Sequence, residues 1–119
     1  MQETRLNKIS SEYQRAMADA VRSLKDPRID RGLVSVVRCD VTGDLRYAKV
    51  YISVLGSDED AREVMRAVNT AAGFLRKTVS AAVSLRSSPE PIFYLDESIR
   101  RGADILKKIN ELDIKQDDE

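Results

Sequence analysis

The sequence predicts an α+β domain in which helices lie on one face of a small three-stranded sheet. Three observations predict it. Apolar residues recur at three- and four-residue steps near the start, in the middle and towards the end of the chain. Between the first two of these stretches lie two runs with strand character, each bounded by glycine. A third, shorter apolar run follows a connector that contains two prolines.

Leu6, Ile9, Tyr13, Met17, Ala20, Val21 and Leu24 make one apolar stripe on a helix from about Thr4 to Leu24. Lys25-Asp26-Pro27-Arg28 stops it, because the residue before a proline is pushed out of helical geometry. Leu33 to Val41 is a valine-rich strand. Thr42-Gly43-Asp44 supplies the turn, with Gly43 available for a positive φ. Tyr47 to Leu55 is the second strand, with Ala48, Val50, Ile52 and Val54 on one face and Lys49, Tyr51 and Ser53 on the other. The two strands should form an antiparallel hairpin.

Ser57 opens the next helix, and Asp60 three residues on completes a capping box with Asp in place of Glu. Ala61, Val64, Met65, Val68, Ala72, Leu75, Val79, Ala82 and Val83 carry the helical rhythm onward to Leu85. Gly73 sits inside it at a cost of ~1 kcal/mol against alanine, which implies a kink or a close backbone approach. Ser87-Ser88-Pro89-Glu90-Pro91 is an extended connector to a short strand, Ile92 to Leu95. Asp96-Glu97-Ser98 caps a last helix whose buried stripe is Ile99, Ala103, Leu106 and Ile109, reaching Leu112. The order is α-β-β-α-kink-α-β-α. Residues 1–113 form the domain and 114–119 a short acidic tail.

Composition narrows the chemistry. The 119 residues suit one domain. There is no histidine, the commonest general base and metal ligand, and no Gly-rich phosphate loop. Cys39 is the single cysteine, so neither an intrachain disulfide nor a thiolate zinc site can form; on a valine-rich strand it reads as a small core residue. These absences argue against an enzyme, and no cofactor is expected. No apolar stretch reaches the ~20 residues that cross a membrane, and no signal peptide is evident, so a cytoplasmic protein without a membrane partner is expected.

The net charge of +0 conceals segregation. No acidic residue lies between Val64 and Pro89, where Arg66, Arg76, Lys77 and Arg86 are basic. Asp58, Glu59, Asp60 and Glu63 crowd just before it. Such a stretch can present a basic face to an anionic partner, or can be a solvated helix surface.

Several segments together resemble the ribosome-binding factor A family. They are Lys25-Asp26-Pro27-Arg28-Ile29, Val41-Thr42-Gly43-Asp44-Leu45, Ala48 to Gly56, Ala71-Ala72-Gly73-Phe74-Leu75-Arg76, Leu85-Arg86 with Pro89, and Phe93 with Asp96 and Ser98. The order of elements is also similar to the type II KH domain, an RNA-binding fold. The resemblance spans roughly Arg5 to Ile109. It implies a KH-like domain in which Ala71-Ala72-Gly73 forms a kink in place of the usual Gly-x-x-Gly loop. It also implies binding to the small (30S) ribosomal subunit late in assembly, near the 16S rRNA of the decoding neck. Support of rRNA processing and of growth in the cold, and release by an assembly GTPase, belong to the same implication. A monomer is expected. Pro91 departs from the family pattern, where a larger apolar residue is usual, and the C-terminal tail is short.

With the family in view, Arg66, Arg76, Lys77 and Arg86 flanking the kink are the leading candidates for phosphate contact. Arg28 sits in a corner that either touches RNA or only stops a helix. Arg5, Lys8 and Arg15 extend the footprint or are a solvated face, since Glu12 and Asp19 interleave with them. Asp44 reads as a turn former, and Tyr47, Tyr51 and Tyr94 as packing residues. Two competing functions stay open: a general KH-type RNA chaperone with no ribosomal preference, and a protein-interaction module built on the acidic C-terminal helix.

Overall fold

The structure is a computed structural model that describes residues 2–83, 85, 87–98 and 105–112, with the side chains of residues 2–4 left aside. Helix α1 spans Gln2–Arg22, and a 3-10 turn, Pro27–Arg31, follows. Strands β1 (Leu33–Val41) and β2 (Tyr47–Leu55) come next. Then come α2 (Asp58–Thr70), α3 (Ala72–Ala82) and β3 (Glu90–Leu95). Residues 105–112 are helical.

The sheet order is β1-β2-β3. The hairpin predicted from the alternating runs is present, antiparallel, with Cys39 opposite Val50. β3 runs parallel to β2, with Val50 opposite Phe93. A parallel neighbour cannot be reached by a tight turn, so α2 and α3 form the crossover. This is the KH-like arrangement that the sequence implied.

β2 is the central strand and the centre of the core. Ala48, Val50, Ile52 and Val54 are all fully buried. Against them lie Tyr13 and Met17 of α1, Val64 and Val68 of α2, and Leu75 and Val79 of α3, likewise fully buried. Burial pushes the Tyr13 phenol well above its ordinary value, and its hydroxyl donates a long bond, 3.5 Å, to the Pro89 carbonyl. α1 also closes the outer edge of β1. Gln14 Nε2 donates to the Val36 carbonyl at 3.1 Å, and Ser10 Oγ accepts from the Val41 amide at 3.0 Å. These bonds flank the register shift between Val36 and Arg38 and satisfy backbone groups that would otherwise template another strand.

Local signals act as read. Asp26 stops the chain after α1 by accepting from the Arg28 amide at 3.0 Å. The Ser57–Asp60 capping box is complete in both directions, at 3.0 and 3.2 Å. Asp44 accepts from the Thr42 hydroxyl and the Arg46 amide, as a turn former should.

Three expectations need correction. The positive φ of the hairpin turn falls on Leu45, at 59°, and not on Gly43. Leu45 is held there because it packs on the core and its amide bonds the Thr42 carbonyl at 2.9 Å. β3 begins at Glu90 rather than Ile92, and Pro91 is a buried member of it. An edge strand tolerates proline because only one side needs ladder donors. Ser53 keeps the outer face given by strand alternation but is covered there, at 7% exposure, so that face is not exposed along its whole length. The last helix has no buried stripe among its described residues: Leu106, Ile109 and Leu112 are 63%, 47% and 59% exposed. An amphipathic period reports that a helix has an apolar side, not which surface covers it. Ile99 and Ala103, and the tail 114–119, lie outside the described residues.

The kink is real, but Gly73 does not make it. The helical path breaks at Ala71, with φ −90° and ψ 8°. Gly73 lies in the first turn of α3, its φ is not positive, and a Cβ built on it meets nothing within 4 Å. The fold therefore places no demand for glycine at this position.

Three outcomes are expected. Leu75→Ala should lower unfolding free energy by roughly 2–5 kcal/mol in a urea titration, as for other buried leucines. Gly73→Ala should leave stability unchanged or raise it by up to ~1 kcal/mol in the same titration. The carboxyls of Asp26, Asp44 and Asp60 are held below their ordinary value of 3.8, each first by the side-chain hydrogen bond it accepts, from Arg28, Thr42 and Ser57 respectively. Their contribution is complete above that value and is lost as pH falls through the lower folded values. Thermal melts below pH 4 should therefore fall with pH, and less steeply in Asp60→Asn.

Candidate nucleic-acid interface

The outer face of α2 carries the candidate site. Ala61, Val64, Ala67 and Val68 face the sheet and are buried. Arg62, Arg66 and Asn69, spaced by four and three residues, therefore share the opposite, exposed side, with Thr70 beside them. The 3-10 turn packs along α2 and brings Arg28 to the same surface. The result is an open depression of about 550 Å3 lined by Arg28, Arg62, Met65, Arg66, Asn69, Thr70 and, from the end of β3, Leu95. Three guanidinium groups thus share one groove with an apolar floor.

Their electrostatic states differ. Arg28 is clamped by Asp26 through contacts of 2.6–3.1 Å, which hold its guanidinium above the ordinary value. Arg66 pairs with Glu63 at 2.6 Å, but its side chain remains 65% exposed. Arg62 has no ion pair among the described residues. Exposed pairs of this kind are weak in water and can be exchanged for phosphate at little cost. Arg62 is thus the free cation of the groove and Arg66 the readily released one.

The groove runs to the break. Asn69 Nδ2 donates to the Met65 carbonyl at 2.9 Å, and Thr70 Oγ1 to the Arg66 carbonyl at 2.8 Å. Such back-bonding bends a helix and satisfies its last carbonyls. Ala71 then both ends α2, through its amide to the Ala67 carbonyl, and starts α3, by accepting from the Leu75 amide. No side chain caps α3. The amides of Ala72, Gly73 and Phe74 head this helix beside an exposed Phe74 and a glycine with open space over its backbone. A helix start that is uncapped and sterically open suits an anion.

The residues predicted from sequence scatter. Arg28 and Arg66 meet in the groove. Lys77 is exposed on α3. Arg76 turns the other way: its Nε and Nη2 donate to the Ser88 carbonyl at 2.9 and 2.7 Å, tying α3 to the connector. It lines a separate depression with Asp44, Arg46 and Glu90, so it serves the fold first. Arg5, Lys8 and Arg15 are exposed on α1, and Arg15 borders a third depression between α1 and β1. Arg86 lies outside the described residues. Arg62, Asn69 and Thr70 were missed. Their spacing opposite the apolar stripe of α2 was a signal available in the sequence.

Cys39 is 3% exposed and burial pushes its thiol up to about 12. Among the described residues no three His, Cys, Asp or Glu side chains group as metal ligands, and no helix is long and apolar enough to cross a membrane.

Comparison with known proteins decides the family. The model of the family described as ribosome-binding factor A matches residues 5–109. This chain belongs to the ribosome-binding factor A family. A ribosome-binding factor A of Acetivibrio thermocellus is 47% identical over 108 residues, covering 90% of this chain and 87% of that one. The solution structure of a Thermotoga maritima protein is 35% identical, with a TM-score of 0.70 over 79% of this chain and 89% of that one. A Thermus thermophilus ribosome binding factor A, as a homology model fitted into the cryo-EM map of a 30S complex, is 25% identical. Its TM-score is 0.61 over 74% of this chain and 91% of that one.

Since the Cys39 thiol is buried and protonated, a thiol reagent at pH 8 should leave the native family member unmodified and label it fully in urea, as read by mass. Rapid native labelling would contradict this placement of Cys39.

Proposed function

We propose that this chain binds the small ribosomal subunit during late maturation and assists 16S rRNA processing, acting by occupancy and not by chemistry. The observation that carries the reading is the three-arginine groove leading to an uncapped, sterically open helix start, in a chain of the ribosome-binding factor A family. The Thermus thermophilus relative fitted into a 30S complex supports the small subunit as partner.

The proposed mechanism follows from charge and shape. Arg62 and Arg66 neutralise consecutive phosphates, and the amides at the start of α3 donate to another. Gly73 lets the RNA backbone approach where a side chain would hold it off. Lys77, one turn along α3, extends the track. Phosphate contacts fix position without reading sequence, so specificity comes from the folded shape of the rRNA. To promote maturation, the protein must bind the immature subunit more tightly than the mature one. A GTPase that remodels the subunit could release it by removing that difference. We place the protein, as a monomer, in the cytoplasm where subunits assemble.

The test is co-sedimentation with purified immature small subunits across a salt series. Binding should weaken with salt, and Arg62→Ala/Arg66→Ala/Lys77→Ala should flatten the log–log salt slope by about 2–3, on the order of one per lost phosphate contact. Gly73→Ala should weaken binding while leaving the thermal melt intact. A slope unchanged in the triple variant would move the site off this groove. Displacement by excess unstructured RNA as readily as by small subunits would favour a general RNA chaperone.

A further inference from the structure

The sheet has a second face that the helices leave open. By register, Tyr47 lies opposite Glu90, Lys49 opposite Ile92, and Tyr51 opposite Tyr94, all outside the core side of β2 and β3. Tyr51 and Tyr94 stack with ring centroids 5.4 Å apart and planes 23° apart. Arg38, opposite Tyr51 on β1, places its guanidinium 4.4 Å from the Tyr51 centroid. Around this row Tyr47 is 42%, Ile92 37% and Tyr94 41% exposed. None of these residues lies in the proposed RNA groove.

The chain carries a second apolar surface without cover. In the helical residues 105–112, Ile105, Leu106, Ile109 and Leu112 fall at steps of one, three and three, on one side of the helix. Each is about half exposed or more. An eight-residue helix is about 12 Å long, close to the width of a three-stranded sheet at ~4.8 Å per strand spacing. β3 ends at Leu95 on the edge of the open face, and residues 96–104 connect it to the helix. The helix can therefore lie across Tyr47, Ile92 and Tyr94 without any change in the sheet.

We propose that the open sheet face is the docking surface for the chain's own C-terminal helix, residues 105–112. Charge separates this occupant from RNA. Arg38 is already paired with Asp40 at 3.1 Å, and Lys49 shares the face with Glu90, so the face has no surplus of cations for phosphates. A face of tyrosines, one isoleucine and balanced charges suits an amphipathic helix with its own mixed polar side, Lys107, Lys108 and Glu111. The tether favours this helix over that of another molecule through its high effective concentration. The docked helix buries the Tyr51–Tyr94 stack and its own leucines and isoleucines together. It leaves the α2 groove free, so docking and RNA binding are compatible.

The experiment is paramagnetic relaxation in the full chain. A nitroxide is attached at Lys108→Cys, on the polar side of the helix, where it leaves the apolar stripe intact. Cys39 stays unlabelled because it is buried with a protonated thiol. The expected result is broadening of the Lys49, Ile92 and Tyr94 amide signals, with the signals of Arg62 and Arg66 spared. Adding Leu106→Ser and Ile109→Ser, both on exposed positions, should abolish the broadening. Absence of broadening at the sheet would overturn the proposal. Broadening that appears in unlabelled, isotope-enriched chains mixed with labelled ones would also overturn it, by assigning the face to a second copy.

Discussion

Strand β2 is the constraint on which the rest of the structure depends. Its inward residues, Ala48, Val50, Ile52 and Val54, are all fully buried, and it holds an antiparallel neighbour on one side and a parallel one on the other. The antiparallel side needs only a short turn. The parallel side obliges the chain to cross the sheet and return in the same direction. That crossover is α2 and α3, and the groove and the break are both parts of it. The proposed RNA site is therefore not an ornament on a finished fold. It is the route the chain takes to put β3 beside β2.

The break at Ala71 lets one crossover do two things. α2 buries Val64 and Val68, and α3 buries Leu75 and Val79, against the same core. Two helices that change direction between them can each present an apolar side inward. The change of direction also exposes the start of α3, where a continuous helix would have spent those amides on its own hydrogen bonds. Asn69 and Thr70 help by turning back onto α2 carbonyls. Arg28 is held in place by Asp26, the residue that also caps the turn after α1. Folding and the proposed binding thus share residues at the edges of the site, while the fold places no demand on Gly73, which only the proposed binding uses.

Much of the fold was legible because the signals were local. The β2 alternation, the Ser57–Asp60 capping box, the Asp26 stop and the turn at Asp44 each involve residues close in sequence. What was not legible depended on distant partners. Leu45 takes the positive φ because the core and Thr42 hold it there, which no turn propensity reports. Pro91 could be buried in a strand only because that strand is an edge. For the site, the basic stretch from Arg66 to Arg86 was visible as a run of charge. A run does not say which side chains face together. Arg76 is drawn away to Ser88, whereas Arg28 arrives from a different element. Arg62 escaped notice because it stands among acids in sequence, yet no ion pair holds it among the described residues.

The central claim is that the α2 groove, and not the α1 surface or the open sheet, meets the small subunit. The most direct measurement is short-range photocrosslinking from single engineered cysteines carrying an azidophenacyl group, with the native Cys39 buried and silent. One protein carries Asn69→Cys, beside Arg66 at the end of the groove, one Lys8→Cys on α1, and one Ile92→Cys on the sheet. Each is bound to immature small subunits and irradiated, and the rRNA crosslinks are mapped. The account predicts crosslinks to 16S rRNA from position 69 and none from positions 8 and 92. Crosslinks from 8 or 92 with none from 69 would contradict it.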